Sequence, residues 1–208
     1  MKKTIGLLKT IVKPGVFTLL WICLPGISCK KEQSAVAPPS AGPITIFTRQ
    51  IPPVQTANDK TGGIELGVKF QSLVDGKAEG VRFYKTPGNT GLHTAQLYSS
   101  DGTLLASKRF INETDSGWQF VLFDTIISIT ANTTYIAAYH SSLGNYISTV
   151  CGLKTEIING PLTALADGED GINGLYKYTN TPDLPDSGYN ASDYWVDILF
   201  VPSPWVSY

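Results

Sequence analysis

The sequence predicts an all-β fold, an antiparallel β-sandwich of jelly-roll or Greek-key type, on three observations. Short segments alternate apolar and polar residues with a period of two, as in Ile64-Glu65-Leu66-Gly67-Val68-Lys69-Phe70. Turn formers separate these segments, with 20 glycines and 13 prolines in 208 residues. No stretch sustains the 3.6-residue period of an amphipathic helix. With 42% hydrophobic and 16% charged residues, the chain is neither a disordered polyelectrolyte nor a coiled coil. A domain of this size can bury a core without disulfides or structural metals.

Each element has its own justification. Residues 64–70 place Ile64, Leu66, Val68 and Phe70 on one face. Val81 and Phe83 repeat the pattern, as do Leu104, Ala106 and Phe110. Strands at 94–99 and 104–111 flank Ser100-Asp101-Gly102-Thr103, where Asp-Gly is a strong hairpin signal. Further strands are expected at 118–126, 133–140, 174–178 and 194–200. The last of these sets Tyr194, Val196, Ile198 and Phe200 on the core face and leaves Trp195 and Asp197 on the other. Residues 141–173 form the longest region without a firm strand pattern, and such long connections tend to be functional.

Residues 1–29 read as a processing signal and stay outside the fold argument. Lys2, Lys3, Lys9 and Lys13 make a basic region, and residues 16–24 an uncharged apolar one too short to span a bilayer. Pro25-Gly26-Ile27-Ser28-Cys29 resembles a bacterial lipobox, with cleavage after Ser28 and lipidation of Cys29. Gly26 stands where leucine is usual. Residues 30–43 are polar, with Pro38-Pro39, and read as a flexible tether with a reach of about 45 Å at most. Residues 44–208 then form one domain, held at the bacterial cell envelope through its lipid anchor.

Removing the four leader lysines from 16 basic residues leaves 12 against 17 acidic ones, a net of −5. That balance argues against nucleic acid as a partner and against a polybasic membrane patch. Of three cysteines, Cys23 leaves with the leader and Cys29 is acylated. Cys151 is then single, so no intramolecular disulfide is expected.

Several blocks occur together in order. They are Glu65-Leu66-Gly67-Val68-Lys69-Phe70, Val81-Arg82-Phe83-Tyr84-Lys85, Leu97-Tyr98-Ser99 and Ser116-Gly117-Trp118-Gln119. Thr133-Thr134-Tyr135-Ile136-Ala137-Ala138-Tyr139-His140, Asn173-Gly174-Leu175-Tyr176-Lys177-Tyr178 and Tyr189-Asn190-Ala191-Ser192-Asp193-Tyr194-Trp195-Val196-Asp197 follow. From about residue 62 to 201 this order resembles the bacterial family called domain of unknown function 4082. The resemblance implies an all-β extracytoplasmic module, often beside immunoglobulin-like and carbohydrate-related domains, and supplies no reaction or catalytic residue. Two departures stand out. Thr163 occupies a position where a histidine is expected, and Phe120 and Leu122 replace polar residues, making their strand apolar on both faces.

Enzyme signatures are missing: there is no Gly-x-Ser-x-Gly elbow, His-Glu-x-x-His pair or phosphate loop. The expectation is a non-catalytic binding module for an extracellular glycan. Flat rings would cover sugar faces, and Tyr139, His140, Tyr146, Tyr176, Tyr178, Tyr189, Trp195 and Asp197 are the candidate contacts. No cofactor is required, although Asp167, Glu169, Asp170 and Asn173 form an oxygen-rich loop able to take calcium. The first alternative is a structural or adhesive surface protein that contacts another protein through Phe120 and Leu122. The second is a polysaccharide or peptidoglycan hydrolase, for which no pattern singles out a carboxylate pair.

Overall fold

The computed structural model describes residues 42–48, 52, 56–58 and 62–203. The expected leader, the lipidated Cys29 and nearly all of the tether lie outside the described residues. Thirteen strands and no helix occur among those described. They are β1 (Thr56–Asn58), β2 (Ile64–Ser72), β3 (Gly76–Lys85), β4 (His93–Ser99), β5 (Leu104–Arg109), β6 (Gly117–Ile129) and β7 (Tyr135–Ser141). Then come β8 (Asn145–Ile147), β9 (Ile157–Asn159), β10 (Leu162–Ala164), β11 (Leu175–Tyr178), β12 (Ser187–Gly188) and β13 (Val196–Pro202).

The strands form two antiparallel sheets packed face to face, with a β1–β8 ribbon beside them. The larger sheet runs β12-β11-β2-β7-β4-β5, with β10 also on β2 and β9 on β10. The smaller runs β13-β3-β6. β3 lies beside β6 and β4 beside β7, the non-sequential pairing of Greek-key sandwiches. Alternation explains the layering. Ile64, Leu66, Val68 and Phe70 of β2 meet Val81 and Phe83 of β3 and Val196, Ile198 and Phe200 of β13 in one core. Phe83 stacks on Tyr139 of β7 at 4.3 Å between ring centroids.

The outer faces are covered as well, which alternation alone does not foretell. Ile44 pairs with Phe200 at the free edge of β13. The chain then folds over Asp197, whose carboxylate accepts the N–H groups of Ile46 (2.8 Å) and Phe47 (3.0 Å). Phe47 packs on Trp195 at 5.0 Å and stacks on Trp118 at 6.1 Å. The Arg82 guanidinium lies 4.0 Å over the Trp118 ring. On the larger sheet, Tyr98, Ile136, Ala138 and Leu175 form a second apolar cluster under Leu184.

One edge of β2 is served in sections. β11 pairs with Ile64–Gly67 and β10 with Phe70–Ser72. At Lys69, between them, the Asn173 side chain stands in for a strand: its Oδ1 accepts Lys69 N–H (2.8 Å) and its Nδ2 donates to Lys69 O (3.1 Å). It also accepts Gly174 N–H and donates to Leu165 O, both at 2.7 Å. Lys69 O keeps the Leu165 N–H at 3.1 Å, but Asn173→Ala leaves Lys69 N–H, Gly174 N–H and Leu165 O without this partner and is expected to cost about 3 kcal/mol, read from the denaturant midpoint. A loss below about 1 kcal/mol would show that this amide does not hold the ladder together.

Candidate functional site

The structure gathers four of the predicted aromatic residues at one place. Tyr146, Tyr176, Tyr178 and Tyr189, with Tyr194, line a concavity of about 270 Å³. Tyr176 and Tyr178 project together from β11, because their register partners Leu66 and Ile64 face the core. Their rings meet edge to face at 5.5 Å. Tyr146 of β8 meets Tyr194, just ahead of β13, in the same way at 5.7 Å. These edge-to-face pairs are the arrangement that aromatic quadrupoles favour, so each ring fixes its neighbour. Tyr146 (9% exposed) and Tyr194 (5%) make the floor, while Tyr178 (49%) and Tyr189 (58%) stand open to solvent.

Tyr194 was missed because alternation assigns it to the core face of the last strand. Trp195 breaks that alternation: its φ of +54° puts a kink between Tyr194 and β13. Tryptophan does not favour this conformation, and no residue-level signal announces it. The kink is held by Asp193, whose Oδ1 accepts Trp195 N–H at 2.8 Å, and by the Trp195 Nε1–H donating to Thr149 Oγ1 at 2.9 Å. Burial pushes the Asp193 carboxyl up to about 7, against the pull of the Trp195 N–H.

The other four candidates correct the sequence expectation, since they are buried and offer no face to a ligand. Tyr139 is wholly enclosed between the sheets against Phe83. His140 lies on the outer face of β7, where its Nε2 donates to Thr179 O at 3.0 Å under residues 179–186. Burial lowers its pKa, which favours the neutral ring. Trp195 packs under Phe47. Asp197 does point away from the core, as expected, but residues 44–47 cover it. Its carboxylate takes Arg82 Nη2 at 2.8 Å as well. Burial nonetheless pushes its carboxyl above the usual range, against Arg82 and the main-chain N–H groups.

Three of the four side chains of the oxygen-rich loop bond to their own chain. Asp167 Oδ1 accepts Asn173 N–H (2.8 Å), Glu169 Oε2 accepts Ala166 N–H (3.2 Å), and Asn173 is spent on the β2 ladder. The Asp170 carbonyl takes the Lys69 ammonium at 2.5 Å, so a cation of the protein already answers this loop. Among the described residues no three His, Cys, Asp or Glu side chains converge as a metal site. His93 and His140 lie on opposite faces of the larger sheet, since His93 opposes Ser141 and Thr94 opposes His140. His93 is buried between Glu113 (2.9 Å) and Asn89 (2.9 Å), with Lys85 on the same carboxylate at 2.8 Å. Burial pushes Glu113 upward, and His93 and Lys85 together outweigh it and hold the carboxyl below its ordinary pKa. Cys151 is exposed and occupies a left-handed turn position (φ +62°).

Phe120 (67% exposed) and Leu122 (54%) do lie on the solvent face of β6. With Ile111 and Trp118 they line a shallow concavity of about 390 Å³. Comparison with known proteins adds a family. The model of the family described as domain of unknown function (DUF4082) matches residues 50–196. No curated protein matches the chain.

Proposed function

The chain belongs to the family described as domain of unknown function (DUF4082), and from that premise we propose that it is a lipid-anchored, non-catalytic binding module for an extracellular glycan. The observation that carries this reading is the convergence of five tyrosines, from three separate stretches of chain, on one concavity. A sugar ring presents apolar C–H faces bounded by hydroxyls. Tyrosine matches both, with a flat ring for the face and a phenol O–H that donates and accepts. The volume lies just under the usual range of about 300–1,000 Å³ for small-ligand pockets, which suits a short saccharide better than a bulky cofactor. Tyr178 and Tyr189 would stack on the sugar; Tyr146, Tyr176 and Tyr194 would orient them and meet the hydroxyls.

The test is a glycan array with the protein, run once with calcium and once with chelator. Binding to one sugar class is expected in both arms. Tyr178→Ala and Tyr189→Ala should each weaken it about tenfold or more, equivalent to about 1.4 kcal/mol. Both rings are half exposed or more, so each substitution should change stability by no more than about 0.5 kcal/mol. A blank array in both arms removes the glycan reading for the sugars tested. Loss confined to the chelator arm would transfer the site to residues 167–173.

A second reading, adhesive contact with another protein, draws on the exposed Phe120 and Leu122 beside Ile111. Sedimentation of the protein with and without Phe120→Ser and Leu122→Ser separates the two. Self-association that the pair of substitutions abolishes would favour contact over glycan recognition.

A further inference from the structure

Residues 179–186 leave β11 after Tyr178, lie over the outer face of the larger sheet and return through β12 to Tyr189. Both ends of this segment therefore carry the two solvent-exposed tyrosines of the concavity. Its attachments are few and specific. Thr179 N–H donates to Gly63 O at 3.0 Å, and Thr179 O accepts His140 Nε2–H at 3.0 Å. Leu184 packs on Tyr98, Ile136, Ala138 and Leu175. Pro185 lies against Gly67, 3.0 Å from where a β-carbon would stand. Lys177 reaches Asp183 at 2.7 Å and Asp186 at 3.4 Å across the surface.

Under the segment lies Glu65, fully buried on the outer face of β2. One carboxyl oxygen takes the Gln96 amide at 2.5 Å, with that amide oriented to satisfy both its ends. The main-chain N–H of Asp183, in the segment itself, lies near enough to the Glu65 carboxyl to act on its charge. The other oxygen, Oε2, is buried without a hydrogen-bond partner. A buried carboxyl with one orphaned oxygen tolerates its neutral form far better than its charged one.

We infer that residues 179–186 are a latch whose seating on Glu65 sets the spacing of Tyr178 and Tyr189 across the mouth of the concavity. The inference rests on the reading of that concavity as the ligand site. Burial first, and the nearby Asp183 charge, raise Glu65 well above an ordinary glutamate, although the Asp183 N–H pulls it down. The other titratable groups facing it are His140 of β7, Tyr98 of β4 and Lys177 of β11. Burial favours neutral His140 and neutral Tyr98, and Lys177 is held charged by Asp183 and Asp186. Among these facing groups, Glu65 is the one whose charging the seated latch resists. The seated latch raises its pKa relative to the open one, so seating is fully favoured at low pH and weakens as pH climbs through the seated value. One proton linked to opening multiplies the open fraction by up to tenfold per pH unit in that window.

The test follows hydrogen exchange of amides 178–189 by mass spectrometry, corrected for intrinsic rates, from about pH 5.5 to about pH 8.5. In the wild-type chain, exchange of these amides should rise with pH while β2 and β7 stay protected. Glu65→Gln should remove the slope, and Leu184→Ala should raise exchange at every pH and keep it. A wild-type series without slope overturns the latch by itself, whether or not Glu65→Gln folds. A slope that survives Glu65→Gln overturns it equally. No ligand enters the measurement, so failure of the glycan reading and failure of the latch are seen separately.

Discussion

Asp197→Ala is expected to remove about 3–5 kcal/mol of stability, a large share of the roughly 5–15 kcal/mol that holds a typical domain together. The carboxylate is wholly buried and meets only donors: the N–H groups of Ile46, Phe47 and Ile198, and Arg82 through Nε (3.0 Å) and Nη2 (2.8 Å). Arg82 also donates to Thr45 Oγ1 at 2.8 Å and to Phe47 O. Removing the acid leaves a nearly buried guanidinium uncompensated and three main-chain N–H groups unpaired. Residues 44–47 should then lift from Trp118 and Trp195, so unfolding followed by tryptophan fluorescence reports both events. Asp197→Asn should be nearly as costly, because its new N–H₂ points among donors. A loss below about 1 kcal/mol would mean that the apolar contacts of Phe47, and not the charge, hold the segment.

Stability is also expected to increase as the protein is acidified from about pH 8 to about pH 5, opposite to the usual acid response. Asp193 sits near 7 in the folded chain because burial penalises its charge, while an unfolded aspartate titrates near 3.9. Between those values the folded state holds a proton that the unfolded state has released. Stability therefore falls as pH rises through this window and levels off above about 7. Three pH units of displacement correspond to about 4 kcal/mol. Glu65 and Asp197, both raised by burial, act in the same direction. Glu113 opposes them at the acid end. Its folded pKa is lowered, so the stability it contributes is present above the unfolded value and is lost as pH falls through the folded one. The thermal midpoint should accordingly pass through a maximum on the acid side of neutrality. Asp193→Asn retains a side-chain acceptor for Trp195 N–H and should flatten most of the slope while stabilising the protein at pH 8. A midpoint that rises from pH 5 to pH 8 in the wild type would contradict the burial argument.

Much of the fold is legible because a strand covered on one side prints a period of two. β2, β4 and β7 lie where alternation places them, and the turn Ser100-Asp101-Gly102-Thr103 joins β4 to β5 as its Asp-Gly predicts. The candidate site was half legible. Aromatic residues beside turns in the later chain singled out Tyr146, Tyr176, Tyr178 and Tyr189, which do meet. The same reasoning admitted Tyr139, His140, Trp195 and Asp197, because a polar or aromatic side chain on the outer face of a strand looks identical whether or not another segment covers it. The oxygen-rich loop carries a structural role that its composition does not distinguish from metal binding. An asparagine amide able to bind calcium is equally able to replace a peptide group, and Asn173 does so at Lys69, in the gap between β10 and β11.

By itself, the sequence determined the all-β class, the faces of the long strands and the family, since these depend on local period and on ordered motifs. Only the tertiary structure decided which outer faces are wet. Residues 44–47 bury Asp197, and residues 179–186 bury Glu65, through contacts more than a hundred positions apart in the chain. It also decided that tyrosines from β8, β11, the loop after β12 and the kink before β13 share one concavity. Local patterning records the face on which a side chain leaves its strand. What waits on that face depends on how distant segments return.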